Sequence, residues 1–126
     1  MSEPELSVLI PFYNEQGNVL LLLEEVHEVL SGIAFEVICV NDCSADQTGE
    51  ELAQAAARWP DTVSVFTHID RAGKSAALFT GLKSVRGRWT QLLDGDGQND
   101  INDTARLWGE IIAGKTTGQL GIIAGK

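Results

Sequence analysis

Trp89-Thr90-Gln91-Leu92-Leu93-Asp94-Gly95-Asp96-Gly97-Gln98 reads as a short buried strand that stops abruptly at two carboxylates one residue apart. In extended backbone, residues two apart project to the same side, so Asp94 and Asp96 can face one ligand. Two anions held that close repel each other unless a cation sits between them, and all-oxygen donors suit a hard ion such as Mg²⁺ or Mn²⁺. An Asp-Gly-Asp triplet is also an ordinary turn sequence. Position separates the two readings, because ligands of open α/β sheets bind outside the carboxyl ends of the strands.

The flanking sequence supplies such a sheet. Leu6–Ile10, Phe35–Val40 and Val63–Phe66 are short apolar runs like Trp89–Leu93, each bounded by turn signals, Pro11 closing the first. Between them Val19, Leu22, Leu23, Val26 and Leu30 recur at helical spacing with Gly32 as the expected C-cap, and Leu52, Ala55, Ala56 and Trp59 repeat the pattern before Pro60. Leu78, Leu82 and Val85 ahead of Gly87, and Leu107, Trp108, Ile111 and Ile112 ahead of Gly114, predict two more helices. Alternating strands and helices imply a three-layer α/β/α fold with a mainly parallel sheet covered on both faces. Leu120–Ala124 reads as a further strand two residues before the last, so residues 1–126 are expected to be one domain that is a piece of something longer.

Composition narrows the ligand classes. The 126 residues are 44% apolar and 21% charged, enough for one core, and the net charge of −9 argues against nucleic acid and anionic membrane surfaces, which call for a basic face. No apolar run reaches the length of a membrane span, and Met1–Glu5 has neither the basic start nor the apolar core of a signal peptide, so a cytoplasmic location is expected. Cys39 in an apolar run and Cys43 in a polar loop, with no matching Cys or His cluster, read as free thiols.

Three other strand ends belong on the rim that carries Asp94. They are Pro11-Phe12-Tyr13-Asn14-Glu15, Asn41-Asp42-Cys43-Ser44-Ala45-Asp46 and His68-Ile69-Asp70-Arg71-Ala72-Gly73-Lys74-Ser75. Each has a structural reading: Asn14 and Asp46 as helix N-caps, Asp42 and Ser44 as turn residues, Lys74 as a solvated first-turn side chain. Together they would bring acceptors for a base, carboxylates for a metal and a cation for phosphate into one crevice. His27 and His68 have no partner identifiable from the sequence, and a solvated or core-edge place is expected for both.

These segments, in this order and over nearly the whole chain, resemble the family 2 glycosyltransferases of GT-A fold, closest in flavour to the polyprenyl- and dolichol-phosphate sugar transferases. The resemblance implies that Pro11, Tyr13, Glu15 and Asp42 cradle a nucleotide base. It further implies that Asp94 and Asp96 hold the ribose and a metal on the diphosphate, with Gln98 as a further metal ligand. On that reading Lys74 balances charge, Gly95 and Gly97 permit close backbone approach, and Mg²⁺ or Mn²⁺ accompanies a nucleoside diphosphate sugar. The sugar passes with inversion to an acceptor such as a polyprenyl phosphate, and the full-length protein is membrane-associated. Any catalytic base is expected downstream of Lys126, which would leave this chain inactive alone and inclined to self-associate through an uncovered sheet edge.

Departures from the family pattern fall on Asn41, where Asp is usual, on Cys43, where Gly is usual, and on Gly97 and the Asn99–Asn102 turn. A non-catalytic nucleotide-binding or interaction module stays open as the alternative. A nucleotide triphosphatase is a third reading, because Gly109–Thr116 fits the phosphate-loop pattern G-x-x-x-x-G-K-[ST]. That loop must follow a strand and open a helix, whereas a helical stripe leads into this one, with Gly114 as its expected stop.

Overall fold

The computed structural model describes residues 3–95, 101–112 and 122–124. The elements run β1 (Leu6–Phe12), α1 (Val19–Val29), β2 (Phe35–Asn41), α2 (Thr48–Arg58), β3 (Val63–Thr67), α3 (Lys74–Leu82), β4 (Trp89–Leu92), α4 (Ile101–Ile112) and β5 (Ile122–Ala124). The strands form one sheet in the order β3-β2-β1-β4-β5, parallel throughout except for β5, which pairs antiparallel to β4. This is the α/β sheet expected from the alternation of elements.

The period of two along β1 and β2 sorts their side chains between two cores. Leu6, Val8, Ile10 and Phe12 join Val37 and Cys39 on the face covered by α1, α2 and α4. Leu9, Ile38 and Val40 point the other way, onto Ala77, Leu78 and Leu82 of α3. Both clusters are drawn from apolar runs with hardly a polar break, as a strand covered on both faces requires. Gly81 brings α3 close to the sheet, since a Cβ there would lie 2.1 Å from Leu9 Cδ1.

The boundaries differ from expectation in three places. β1 continues through Pro11 and Phe12. On its β4 side the register ends at Leu9, with the Leu93 N–H donating to Leu9 O, so Pro11, which has no N–H, stands where that ladder stops. Helix α1 ends at Leu30, whose N–H bonds Val26 O, and Gly32 does not adopt the positive φ of a glycine cap. Helix α3 stops at Leu82, and Val85 reaches the second core from the turn that follows.

One buried charge sits at the opposite end of the sheet from the loops described next. Glu36 accepts from Ser7 Oγ at 2.6 Å and from the Arg86 backbone N–H and Nε at 2.6 and 3.1 Å. A carboxylate can be buried there because its hydrogen bonds are supplied by neighbours on the same face.

Candidate functional site

Every loop at the carboxyl end of β1 to β4 converges on one cleft of about 240 Å³, lined by Pro11, Phe12, Tyr13, Glu15, Asp42, Arg71, Lys74, Ala77, Asp94 and Gly95. All of the candidate residues that fall among the described ones are therefore brought together. Asp96 and Gln98 lie outside the described residues, as does Gly97.

The β1–α1 and β2–α2 loops are bonded to each other more than to themselves. Asn14, with φ of 52°, donates its N–H to Ser44 Oγ at 3.0 Å and accepts from Ala45 N–H at 2.8 Å. The Gln16 N–H donates to Asp46 Oδ2, the Gly17 N–H to the Glu51 carboxylate, and the Glu15 N–H to Thr48 Oγ1. Asn14 is thus a bridge between loops and not a helix cap; α1 begins at Val19, behind Asn18 in the cap position. Asp46 sits one residue before the cap position Gln47, yet its Oδ1 accepts the Thr48 N–H and hydroxyl. Those bonds, the Thr48 hydroxyl foremost, hold its carboxyl below the usual carboxylate range.

Departures from the family pattern have structural roles here. Asn41 is buried and its Oδ1 accepts the Ser44 N–H at 3.0 Å, closing the turn after β2. Cys43 adopts φ of 59°, a backbone region that glycine enters without cost, and its thiol donates to Ile69 O at 3.2 Å. Cys39 lies in the core, where burial pushes its thiol pKa far up.

Asp42 is only 3% exposed, and both carboxylate oxygens are engaged by the segment that follows β3. Oδ1 accepts the Ala72 N–H at 2.8 Å and faces His68 Nδ1 at 2.7 Å; Oδ2 accepts the Gly73 N–H at 2.8 Å. Burial alone would raise its pKa, but these N–H donors and the imidazole outweigh it and hold the carboxyl below its ordinary value. The other ring nitrogen of His68 meets Thr80 Oγ1 at 2.8 Å, in α3. His68 is therefore a partnered bridge. His27 is partnered too: it bonds Leu23 O and Thr62 Oγ1 and stacks on Trp59 with centroids 4.3 Å apart.

Two cations enter the cleft from the same segment. Lys74 pairs with Asp94 in an ion pair that is largely exposed and so worth little to stability. The Arg71 guanidinium lies 4.0 Å from the centroid of the Tyr13 ring, which is 38% exposed. Neither Arg71 nor His68 carried a motif in the sequence. Only the β2–β3 pairing brings His68 next to Asp42.

Gly95 lies in the turn after β4, where close approach is required, though by the protein's own chain: a Cβ there would stand 2.7 Å from both Pro11 O and Phe12 Cδ1. Asp94 is thereby held beside the carboxyl end of β1. Its carboxylate offers hard oxygen donors of the kind a divalent cation takes, at the rim of a cleft that holds two cations to neutralise an anion. Among the described residues no cluster of three acidic, His or Cys side chains forms a complete metal cage. Gly109–Ile112, the start of the phosphate-loop pattern, are inside helix α4, which rules out a loop there; Gly114, Lys115 and Thr116 lie outside the described residues. No described helix is long and apolar enough to cross a membrane.

The profile of glycosyl transferase family 2 matches residues 7–125. The chain is 32% identical over 95 residues to the dolichol-phosphate mannosyltransferase of Pyrococcus furiosus, covering 75% of this chain and 26% of that protein. Against the human dolichyl-phosphate beta-glucosyltransferase it is 31% identical, with 82% and 34% covered. Against the undecaprenyl-phosphate 4-deoxy-4-formamido-L-arabinose transferase of Yersinia pestis the figures are 34%, 85% and 34%. The chain thus spans about a third of the length of these curated relatives. Among solved structures, a mannosyltransferase from Pyrobaculum calidifontis in complex with GDP-Man and Mn²⁺ superposes with a TM-score of 0.70 at 27% identity, over 82% of this chain and 30% of that one. The TarS protein of S. aureus with UDP-GlcNAc gives 0.69 at 23% identity, over 87% and 31%, a likeness of fold.

Proposed function

The chain belongs to glycosyl transferase family 2, and from that premise we propose that its cleft binds the nucleoside diphosphate sugar donor of a glycosyltransferase whose acceptor is a polyprenyl phosphate. The observation that carries this reading is the convergence of Pro11, Tyr13, Glu15, Lys74, Asp94 and Gly95 on one crevice at the carboxyl ends of the parallel strands.

The base lies against Pro11 and Tyr13, where an aromatic face and the Glu15 carboxylate offer stacking and a hydrogen-bond acceptor. The diphosphate lies toward Lys74 and Arg71, whose charges oppose the negative charge that grows on the leaving oxygen as the glycosidic bond breaks. Asp94, with Asp96 and Gln98, would hold Mg²⁺ or Mn²⁺. When bound, the ion supplies Lewis-acid stabilisation of that leaving group. A phosphate acceptor is already anionic and attacks the anomeric carbon from the side opposite the diphosphate, so inversion needs no base from these residues.

Titration calorimetry on the 126-residue chain tests the donor site. UDP or GDP should bind with Mn²⁺ and at least tenfold more weakly without it, because Asp94 and Asp96 otherwise repel the diphosphate. Equal affinity with and without the ion removes the metal role. No binding of either nucleotide removes the donor site.

A further inference from the structure

The two cations that line the cleft are held differently. The Arg71 guanidinium is stacked on the Tyr13 ring. The Lys74 ammonium donates instead to Oδ1 of Asp94. The two ends of that ion pair are unequal in freedom. Asp94 is fixed through its neighbour Gly95, whose backbone lies so close to β1 that a Cβ would stand 2.7 Å from Pro11 O. Lys74 opens α3 behind Gly73, its side chain is 62% exposed, and its ammonium swings on a flexible four-carbon stem. Asp94 offers the hard oxygens that a divalent cation takes, so Lys74 stands on a carboxylate the metal needs. An ammonium and a divalent cation drawn to one carboxylate repel each other.

We propose that Lys74 is the internal counter-ion of Asp94: it competes with the divalent ion for that carboxylate and yields it when a nucleoside diphosphate offers the ammonium a second anion. This rests on the donor-site reading above and adds an exchange of partners to it. Lys74 passes from Asp94 to a phosphate oxygen and leaves the carboxylate to the metal. Metal and nucleotide thereby promote each other's binding, and linkage makes that coupling equal in both directions. Arg71, held on Tyr13, takes no part in the exchange.

Binding of Mn²⁺ alone to the 126-residue chain, followed by the paramagnetic resonance signal of the free ion, tests the competition without any nucleotide. Lys74→Met removes the competing charge and should tighten Mn²⁺ about threefold, the scale of an exposed ion pair. Lys74→Arg keeps the charge and should leave the affinity close to that of the unaltered chain. With Mn²⁺ present, Lys74→Met should weaken UDP or GDP about tenfold, because the phosphate loses a charged donor. Opposite signs for metal and nucleotide separate the exchange from a merely structural role, whose loss weakens both. Arg71→Met controls for the overall charge of the cleft and should leave Mn²⁺ affinity nearly unchanged. Unchanged or weaker Mn²⁺ binding in Lys74→Met, or an equal gain in Arg71→Met, overturns the proposal. If the unaltered chain binds neither nucleotide, the donor-site reading has failed instead, and the Mn²⁺ comparison still decides whether Lys74 and the ion compete for Asp94.

Discussion

Cys43 shows what a single backbone angle does to the choice of residue. At φ of 59° a β-carbon costs about 1–2 kcal/mol, while replacing it by glycine adds about 0.4–1 kcal/mol of unfolded-state entropy. The two nearly cancel, so Cys43→Gly should leave stability within about 1 kcal/mol. Cys43→Val adds a branch at the same angle and should be the less stable by at least about 1 kcal/mol in urea unfolding; equal midpoints would mean that the left-handed conformation is not kept. At Asp42 the sign of the pH effect follows from its lowered folded-state pKa. Its contribution to stability is complete above the ordinary carboxylate pKa of about 4 and is lost as the pH falls through the lower folded value. Asp42→Asn should therefore flatten the acid limb of a melting-temperature profile below about pH 4, and an unchanged limb would show that the carboxylate gains nothing on folding. Residues at the cleft were legible in the sequence where they followed an apolar run, as Glu15 and Asp94 do. Arg71 and His68 were not, because a lone charge and a lone imidazole in a loop look solvated until strand pairing supplies Tyr13 and Asp42 as neighbours.

Helices and strands were legible for a different reason: their apolar spacing survives whatever the loops do. The errors fell at the ends. Pro11 is compatible with a strand wherever its nitrogen faces no partner, and only sheet order reveals that. Helix α3 also contains a conflict of scales that spacing does not expose. Alanine is favoured over glycine in a helix interior by about 1 kcal/mol, which argues for Gly81→Ala. The new methyl would press on Leu9, which is fully buried in the central strand, and overpacking of that kind costs about 1–3 kcal/mol. The second term prevails, so Gly81→Ala should lower the chemical-denaturation midpoint. A raised midpoint would mean that α3 can lift from β1 freely.

Across the whole molecule, the division of labour is between a sheet that fixes four strand ends and loops that hold one another. The order β3-β2-β1-β4 puts the first strand in the middle, so the cleft is assembled from chain segments roughly equally spaced in sequence but adjacent in space. That arrangement follows from pattern alone as far as fold class. The pairing order does not, because each strand is equally apolar. The cross-bonding of the β1–α1 and β2–α2 loops has a consequence for how these segments open. Because the amide protons of Gln16 and Ala45 are each held by a side chain of the other loop, and that of Gly17 by Glu51 in the first turn of α2, neither loop can breathe without breaking the bonds of its neighbour. The two should exchange with deuterium as one cooperative unit, more slowly than their exposure suggests. Asn14→Gly, which preserves the positive φ but deletes one bridge, should then speed exchange at Gln16 and Gly17 as well as at Ala45; acceleration confined to Ala45 would mean two independent loops. If they open together, a nucleotide entering the cleft meets a wall that is already ordered, and the entropy of ordering it has been spent during folding, not at the moment of binding.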